Sequence, residues 1–228
     1  MNPSSLKTEC RRCGTCCDKG GPTFHIEDQM LIDSGLIPAK HLYTLRKGEL
    51  VNDSIMGCLL SLESEMIKIK GQNRAWTCIY FDKTETACRI YEHRPLECRI
   101  LKCWDTQDIE AAYSQNRLTR KYLLSGIPAL WSLIEDHDLR CSHQTLRKLI
   151  DSKSGGEAGE KNDLVAAIRE MIEYDRSIRL LVVEKAGIET DMLDFIFGRP
   201  LSETTANITF GLPPEPRSLH PTVARIEF

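Results

Sequence analysis

Eight of the chain's ten cysteines fall into two groups, at 10, 13, 16 and 17 and at 78, 88, 98 and 103, so the fold has to accommodate two thiol-rich segments far apart in sequence. The first group, CRRCGTCC, repeats a C-x2-C step and ends on adjacent cysteines. The opening residues, MNPSSLKTEC, do not read as a signal peptide, and no run approaches the roughly 20 apolar residues that cross a bilayer. The chain is therefore expected in the cytoplasm, without membrane contact. A reducing compartment keeps thiols open, so cysteines this numerous point to metal ligation or redox chemistry rather than to disulfides.

The remaining composition is that of an ordinary globular protein: 228 residues, 41% hydrophobic, enough for a real core. Thirty Lys and Arg stand against 33 Asp and Glu, and a net charge of -3 leaves no electrostatic footprint for nucleic acid.

Along the chain, HIEDQMLIDSGLIP reads as a short helix stopped by Gly35 and Pro38. MIKIK alternates with period two, as a short strand does, and GQN follows as a turn. WTCIYFD and TACRIYE flank a polar KTE turn, a hairpin pattern that would bring Cys78 and Cys88 close together. Pro95 fixes the backbone just before Cys98 and Cys103.

Beyond Asp108 the pattern is helical: DIEAAYSQNRLTRKYLLSG, a helix starting at Pro128, and HQTLRKLIDS. The Gly-rich stretch 152–162 has a linker's composition, and Asp163 and Gly187 suit the two caps of a further helix. Leu164, Ile168, Met171, Ile172, Ile178 and Val182 share one face of that helix, and Asp175 falls on the same stripe, as a break, a buried partner for a base or a solvated carboxylate. Four prolines in GLPPEPRSLHP predict an extended tail. The expected fold is α+β: a small cysteine-rich metal-binding module with short antiparallel strands over 1–107, a mainly α-helical region over 108–198 and a Pro-rich tail over 199–228.

Thiolates suit zinc, copper(I) and iron-sulfur clusters, and four of them satisfy one tetrahedral zinc or the corners of one cluster. Cys10, Cys13 and Cys16 can wrap one centre, but the ferredoxin run would need a cysteine where Gly20 stands. On an extended backbone Cys16 and Cys17 would point to opposite sides, which predicts different centres for the two. Either two sets of four with Cys17 between them, or one site with spare thiols, is compatible with the spacing. Lys7, Arg11, Arg12 and Lys19 beside the first group and Arg89, Arg94, Arg99 and Lys102 beside the second would favour thiolate. Glu92 and Glu97 oppose them.

CRRCGTCC, CIYFD, CRIYEHRPLECR and CWD, with HLYTLRKGE at 41–49, together resemble the YkgJ-like cysteine cluster family, described as zinc- or iron-chelating CxxCxxCC proteins. The resemblance covers about residues 8–105 and implies metal or iron-sulfur binding through Cys10, Cys13, Cys16, Cys17, Cys78, Cys88, Cys98 and Cys103. Relatives include proteins called iron-sulfur oxidoreductases and the flagellin lysine-N-methylases, but no Gly-rich strand-to-helix turn suited to S-adenosylmethionine is present here. Three functions follow as expectations: an iron-sulfur protein with a redox or protein partner, a structural zinc module presenting its helices to a partner, and an enzyme related to the methylases. Cys58 and Cys141 are expected to be small buried hydrophobes, His25 and His93 turn or surface residues, and Trp76 and Trp104 core residues. Tyr91 and Arg94 are expected either to donate to cluster sulfurs or to stabilise the fold.

Overall fold

A computed structural model describes residues 10–53, 57–152, 158–205 and 224–226. Two short helices, Thr15–Lys19 (α1) and Gln29–Asp33 (α2), precede the strands Leu42–Leu45 (β1), Leu50–Asp53 (β2), Cys58–Ser61 (β3) and Met66–Ile69 (β4). A hairpin of two-residue strands, Phe81–Asp82 (β5) and Ala87–Cys88 (β6), completes this part. Helices follow: Leu96–Ile100 (α3), Gln107–Ala112 (α4), Arg120–Leu124 (α5), Pro128–Arg140 (α6), His143–Ser152 (α7), Ala158–Ala186 (α8), Leu193–Ile196 (α9) and Leu201–Thr205 (α10). Strand Ala224–Ile226 (β7) ends the described chain. The fold is α+β, as expected, with its helices concentrated in the C-terminal half.

β1 and β4 pair antiparallel, Leu42 opposite Ile69 and Leu45 opposite Met66. The strand read in MIKIK forms as β4, and both strands are buried along their whole length. Lys68 lies inside, its ammonium 3.3 Å from the Thr23 hydroxyl. β2 runs between β3, antiparallel, and β7, parallel. The main core joins Phe24, Ile37, Leu42 and Ile69 to Cys78 and Phe81 of the thiol hairpin and to Ile134, Ile178, Phe195 and Phe197 of the helical part.

Three expectations about the helices are corrected. The helical pattern over 108–126 is broken after α4, because Asn116 adopts a left-handed conformation (φ 48°) and the chain there pairs with an N-terminal segment. Ile26 N–H donates to the Asn116 carbonyl at 2.8 Å, and Leu118 N–H donates to the Phe24 carbonyl at 2.9 Å. α8 starts at Ala158, so residues 158–162 are helix rather than linker and Asp163 lies inside the helix instead of capping it; positions 153–157 lie outside the described residues. Residues 201–205, expected to be extended, form α10, and 206–223 lie outside the described residues. Gly187 does follow the end of α8 with φ 65°, the left-handed stop its sequence suggested.

The stripe on α8 is buried at Ile168, Ile178 and Val182, and Asp175 is buried with it as the partner of bases. Its Oδ1 accepts from His137 Nε2 at 2.7 Å and Arg179 Nε at 2.9 Å, and its Oδ2 accepts from Leu201 N–H at 2.9 Å. One carboxylate thus ties α6, α8 and α10 together. Burial pushes its pKa up, but the His137 hydrogen bond and Arg179 outweigh burial and hold it at about 2, against 3.8 in a free carboxyl. As pH falls from about 4 towards 2 the unfolded chain takes up this proton first, so the carboxylate's contribution to stability is present above that window and is lost through it. Asp175→Asn should cost about 3 kcal/mol in urea denaturation at neutral pH, because it strands a buried guanidinium, and should flatten the stability loss over that acidic window.

Candidate metal centre

Helix α1 places the first thiols. Gly14 precedes it at φ 76°, and a Cβ there would lie 2.1 Å from Cζ of Phe81, so only glycine lets the loop rest on that ring. Because Cys16 and Cys17 lie on a helix, they are separated by about 100° rather than 180°. The extended backbone on which the expectation of opposite sides rested is replaced by this helix. Two bonds fasten α1 to the second group: Cys78 N–H donates to the Cys17 carbonyl at 2.8 Å, and the Thr77 hydroxyl donates to Asp18 at 3.0 Å.

The hairpin forms as expected, with Cys88 paired opposite Phe81, whose N–H donates to the Cys78 carbonyl at 2.9 Å. The Gln72 side-chain amide donates to the carbonyls of Cys78 and Phe81, holding the approach to the turn. Cys98 enters on α3, one residue after a buried carboxylate. Glu97 accepts from Thr23 N–H at 2.6 Å and lies 3.4 Å from Nε2 of His25. At the start of the same helix, Leu96 N–H donates to Asp28 at 2.8 Å. His25, expected at a turn or on the surface, is instead buried in this anchor, its Nδ1 2.8 Å from the Gln115 carbonyl.

The fold brings five sulfurs together. Cys16, Cys78, Cys88 and Cys98 act on one another electrostatically, and Cys17 feels Cys16, Cys78 and Cys98. Cys78 is buried at the base, Cys17, Cys88 and Cys98 are half-buried, and Cys16 is exposed at the mouth. The Cys17 thiol donates to the Cys16 sulfur, which draws Cys16 down to about 6 and pushes Cys17 far up. Burial raises Cys78 to about 11, and burial raises Cys88 and Cys98 too, with the neighbouring sulfurs adding to each. So many thiols cannot ionise together unaided; a bound cation reverses that balance and displaces their protons. Cys10, Cys13 and Cys103 are exposed: Cys10 accepts from Arg12 N–H at 3.3 Å, and Cys13 lies 3.2 Å from the Thr15 hydroxyl.

Of the flanking cations, Arg94 reaches the thiols and favours the charged forms of Cys16 and Cys88. Its guanidinium stacks on Tyr91 at 3.7 Å from the ring centroid, and that of Arg12 lies 4.1 Å from the same centroid, so Tyr91 links the CRRC loop to the second group. Arg89, Arg99 and Lys102 instead pair with Asp82, Asp28 and Asp108. Lys7 lies outside the described residues.

Cys141 is buried as expected, but Cys58 is exposed on β3. His93 is exposed and Trp104 half-buried, while Trp76 packs against the cluster of Tyr43, Leu45 and Met66. The anchors Gln72, Asp18 and Glu97 had no signal in the sequence, because each acts on backbone or side chains distant in the chain. Asp28 had one: it follows His25 by three residues and accepts from that residue's N–H at 3.0 Å, a helix-start arrangement.

A second group, His137, Cys141 and Asp175, has donor atoms within 4.8 Å of one another. It is a hydrogen-bonded clamp. Both Asp175 oxygens already accept, and Arg179 sits on the carboxylate where a cation would be repelled. The thiol group instead offers several sulfur donors, with the Arg94 guanidinium beside them.

A cluster of cysteine sulfurs that a short helix, a hairpin and a second helix present together defines a thiolate metal-binding module. Residues 9–118 match the CxxCxxCC family model, "Putative zinc- or iron-chelating domain", so this segment of the chain is similar to that family. Zinc or iron chelation is thus the chemistry the fold supports. No match to the chain was found among curated proteins or solved structures.

Gly14→Ala should lower both metal content and thermal stability, because the added methyl meets the Phe81 ring and a left-handed backbone. Gly20→Ala is the control: Gly20 has open space around its Cβ position, so any effect there reports backbone strain alone. Metal analysis with thermal melts of both variants checks this; equal metal loss would remove Phe81 from the explanation.

Proposed function

We propose that the protein ligates one or two iron-sulfur centres through Cys10, Cys13, Cys16, Cys17, Cys78, Cys88, Cys98 and Cys103 and uses them for electron transfer or redox sensing. The observation that carries this is the spacing of the thiols. Four thiolates on one zinc, at 2.3 Å bonds, stand about 3.8 Å apart. Among the described residues no three cysteine sulfurs lie within 4.8 Å of one another. The gathered thiols are therefore spaced more widely than a closed single-ion cage, which supports reading them as donors to an inorganic core of iron and sulfide. Sulfur-only ligation without imidazole agrees with this.

When bound, such a centre supplies one-electron chemistry. The chain's own residues set its terms. Cys78 and the core around it exclude water from the base, Arg94 adds positive charge that favours the reduced state, and exposed Cys16 marks the side on which a redox partner would approach. Residues 1–107 would carry the metal and 108–198 would buttress it. The zinc module of the second expectation, in which metal replaces a missing core, draws less support, because Phe24, Ile37, Leu42 and Ile67 already form a core with no exposed surface. No described helix is long and apolar enough to cross a membrane, and a cytoplasmic setting belongs to the same proposal.

Anaerobic purification followed by iron, zinc and acid-labile sulfide analysis, with visible absorption spectroscopy, tests the proposal. A brown protein with matching iron and sulfide is expected. A colourless protein carrying zinc without sulfide would overturn it.

A further inference from the structure

Two guanidiniums from distant parts of the chain meet on one aromatic ring. That of Arg12 lies 4.1 Å from the centroid of Tyr91, and that of Arg94 lies 3.7 Å from it. At such distances each guanidinium covers a face of the ring, so the two cannot share one and the three side chains stack with Tyr91 in the middle. Stacking fixes the plane of each guanidinium and leaves its N–H edge directed outward, the edge that grips a carboxylate. Arg94 uses one donor internally, its Nε on the Tyr91 carbonyl at 2.8 Å.

The surrounding cations are neutralised, whereas this pair is not. Lys83, Arg89, Arg99 and Lys102 pair with Asp18, Asp82, Asp28 and Asp108. Among the described residues neither Arg12 nor Arg94 meets a carboxylate, although Glu92 directly follows the ring in the chain. Arg12 is also held at φ 54°, a left-handed conformation that a residue with a Cβ adopts at a cost. A strained backbone and a half-buried ring thus hold two positive charges at the surface, beside exposed Cys16, in a chain whose net charge is -3.

We propose that Arg12, Tyr91 and Arg94 form a docking clamp for an acidic segment of a partner protein, which places two of its carboxylates beside the mouth of the thiol site. Two edges separated by the thickness of a ring suit alternate residues of an extended segment, which stand roughly 7 Å apart on the same side. The inference deepens the redox reading by giving the partner's chemistry, and rests on it only for the need of a partner at this face. Charge complementarity of this kind favours fast encounter and fixed register over tight binding, as suits a partner that leaves after each exchange.

The test uses the full-length protein with its native metal and a fluorescein-labelled peptide of alternating glutamate and glycine, read by fluorescence anisotropy beside its lysine counterpart. The glutamate peptide should bind, more weakly as ionic strength rises, and the lysine peptide should not. Arg12→Gln should weaken binding by about 3- to 5-fold, the scale of one exposed ion pair, whereas Arg89→Gln, which removes the same charge where Asp82 already answers it, should change it by less than about 2-fold. Equal losses in those two variants would show a general charge effect and overturn the clamp. Tyr91→Leu keeps both charges and loses the ring, and Arg94→Lys keeps the charge beside the thiols and loses the planar edge; both should bind the peptide less well with metal content unchanged. Circular dichroism confirms the fold of each variant. Displacement of the peptide by inorganic phosphate at equal charge, or tighter binding of a labelled DNA oligonucleotide, would overturn the assignment to an acidic protein. A brown, sulfide-containing protein that ignores the peptide would sink the clamp and leave the iron-sulfur reading standing, and a colourless zinc protein that binds it would do the reverse.

Discussion

The hydrogen bond from the Cys78 amide to the Cys17 carbonyl, 2.8 Å long, is the link on which the rest of the site depends. It joins a five-residue helix, far too short to stand alone, to a hairpin whose strands are two residues each. Neither element would persist in isolation. Their stability is borrowed from the core beneath, where Phe81 meets Gly14 on one side and the apolar residues around Cys78 on the other. Sulfur geometry is thus set by backbone contacts before any metal arrives, which lowers the ordering cost of ligation.

The same chain buries an unusual amount of charge, and it does so in matched groups. Arg120 meets Glu65 and Asp138 at 2.7 and 2.6 Å, Arg199 meets Glu49 at 2.5 Å, and Asp175 meets His137 and Arg179. A buried pair adds little net stability over a well-packed apolar one, yet losing one partner is costly. These groups therefore act mainly as registration devices: Arg120 also donates to the Ile196 carbonyl at 2.7 Å, and Thr44 donates to the Phe195 carbonyl at 2.7 Å, fixing α9 against the strands.

What the sequence made legible was what depends on local chemistry. The eight clustered cysteines, the hairpin between Cys78 and Cys88, the start at Pro128 and the stop at Gly187 could be read because each is governed by spacing or by a residue's own backbone preference. Asn116 shows the limit: an amphipathic pattern was present, but pairing with residues 24–26 prevailed over helix propensity. Lys68 shows another, since nothing in the local pattern names the distant Thr23 hydroxyl that its buried ammonium meets. At the site, the helical setting of Cys16 and Cys17 and the anchoring role of Glu97 stayed hidden, because both arise from contacts with segments that no local pattern specifies.

The family match stops at Leu118, a residue with no exposed surface, packed in a core whose other members include Ile134, Ile178, Phe195 and Phe197. A chain cut there would present a raw apolar face to water and would lose Arg120's hold on Glu65 with it. The chelating segment is accordingly not a portable cassette. Transplanting it into another protein would require rebuilding the wall of helices against which its cysteines are braced.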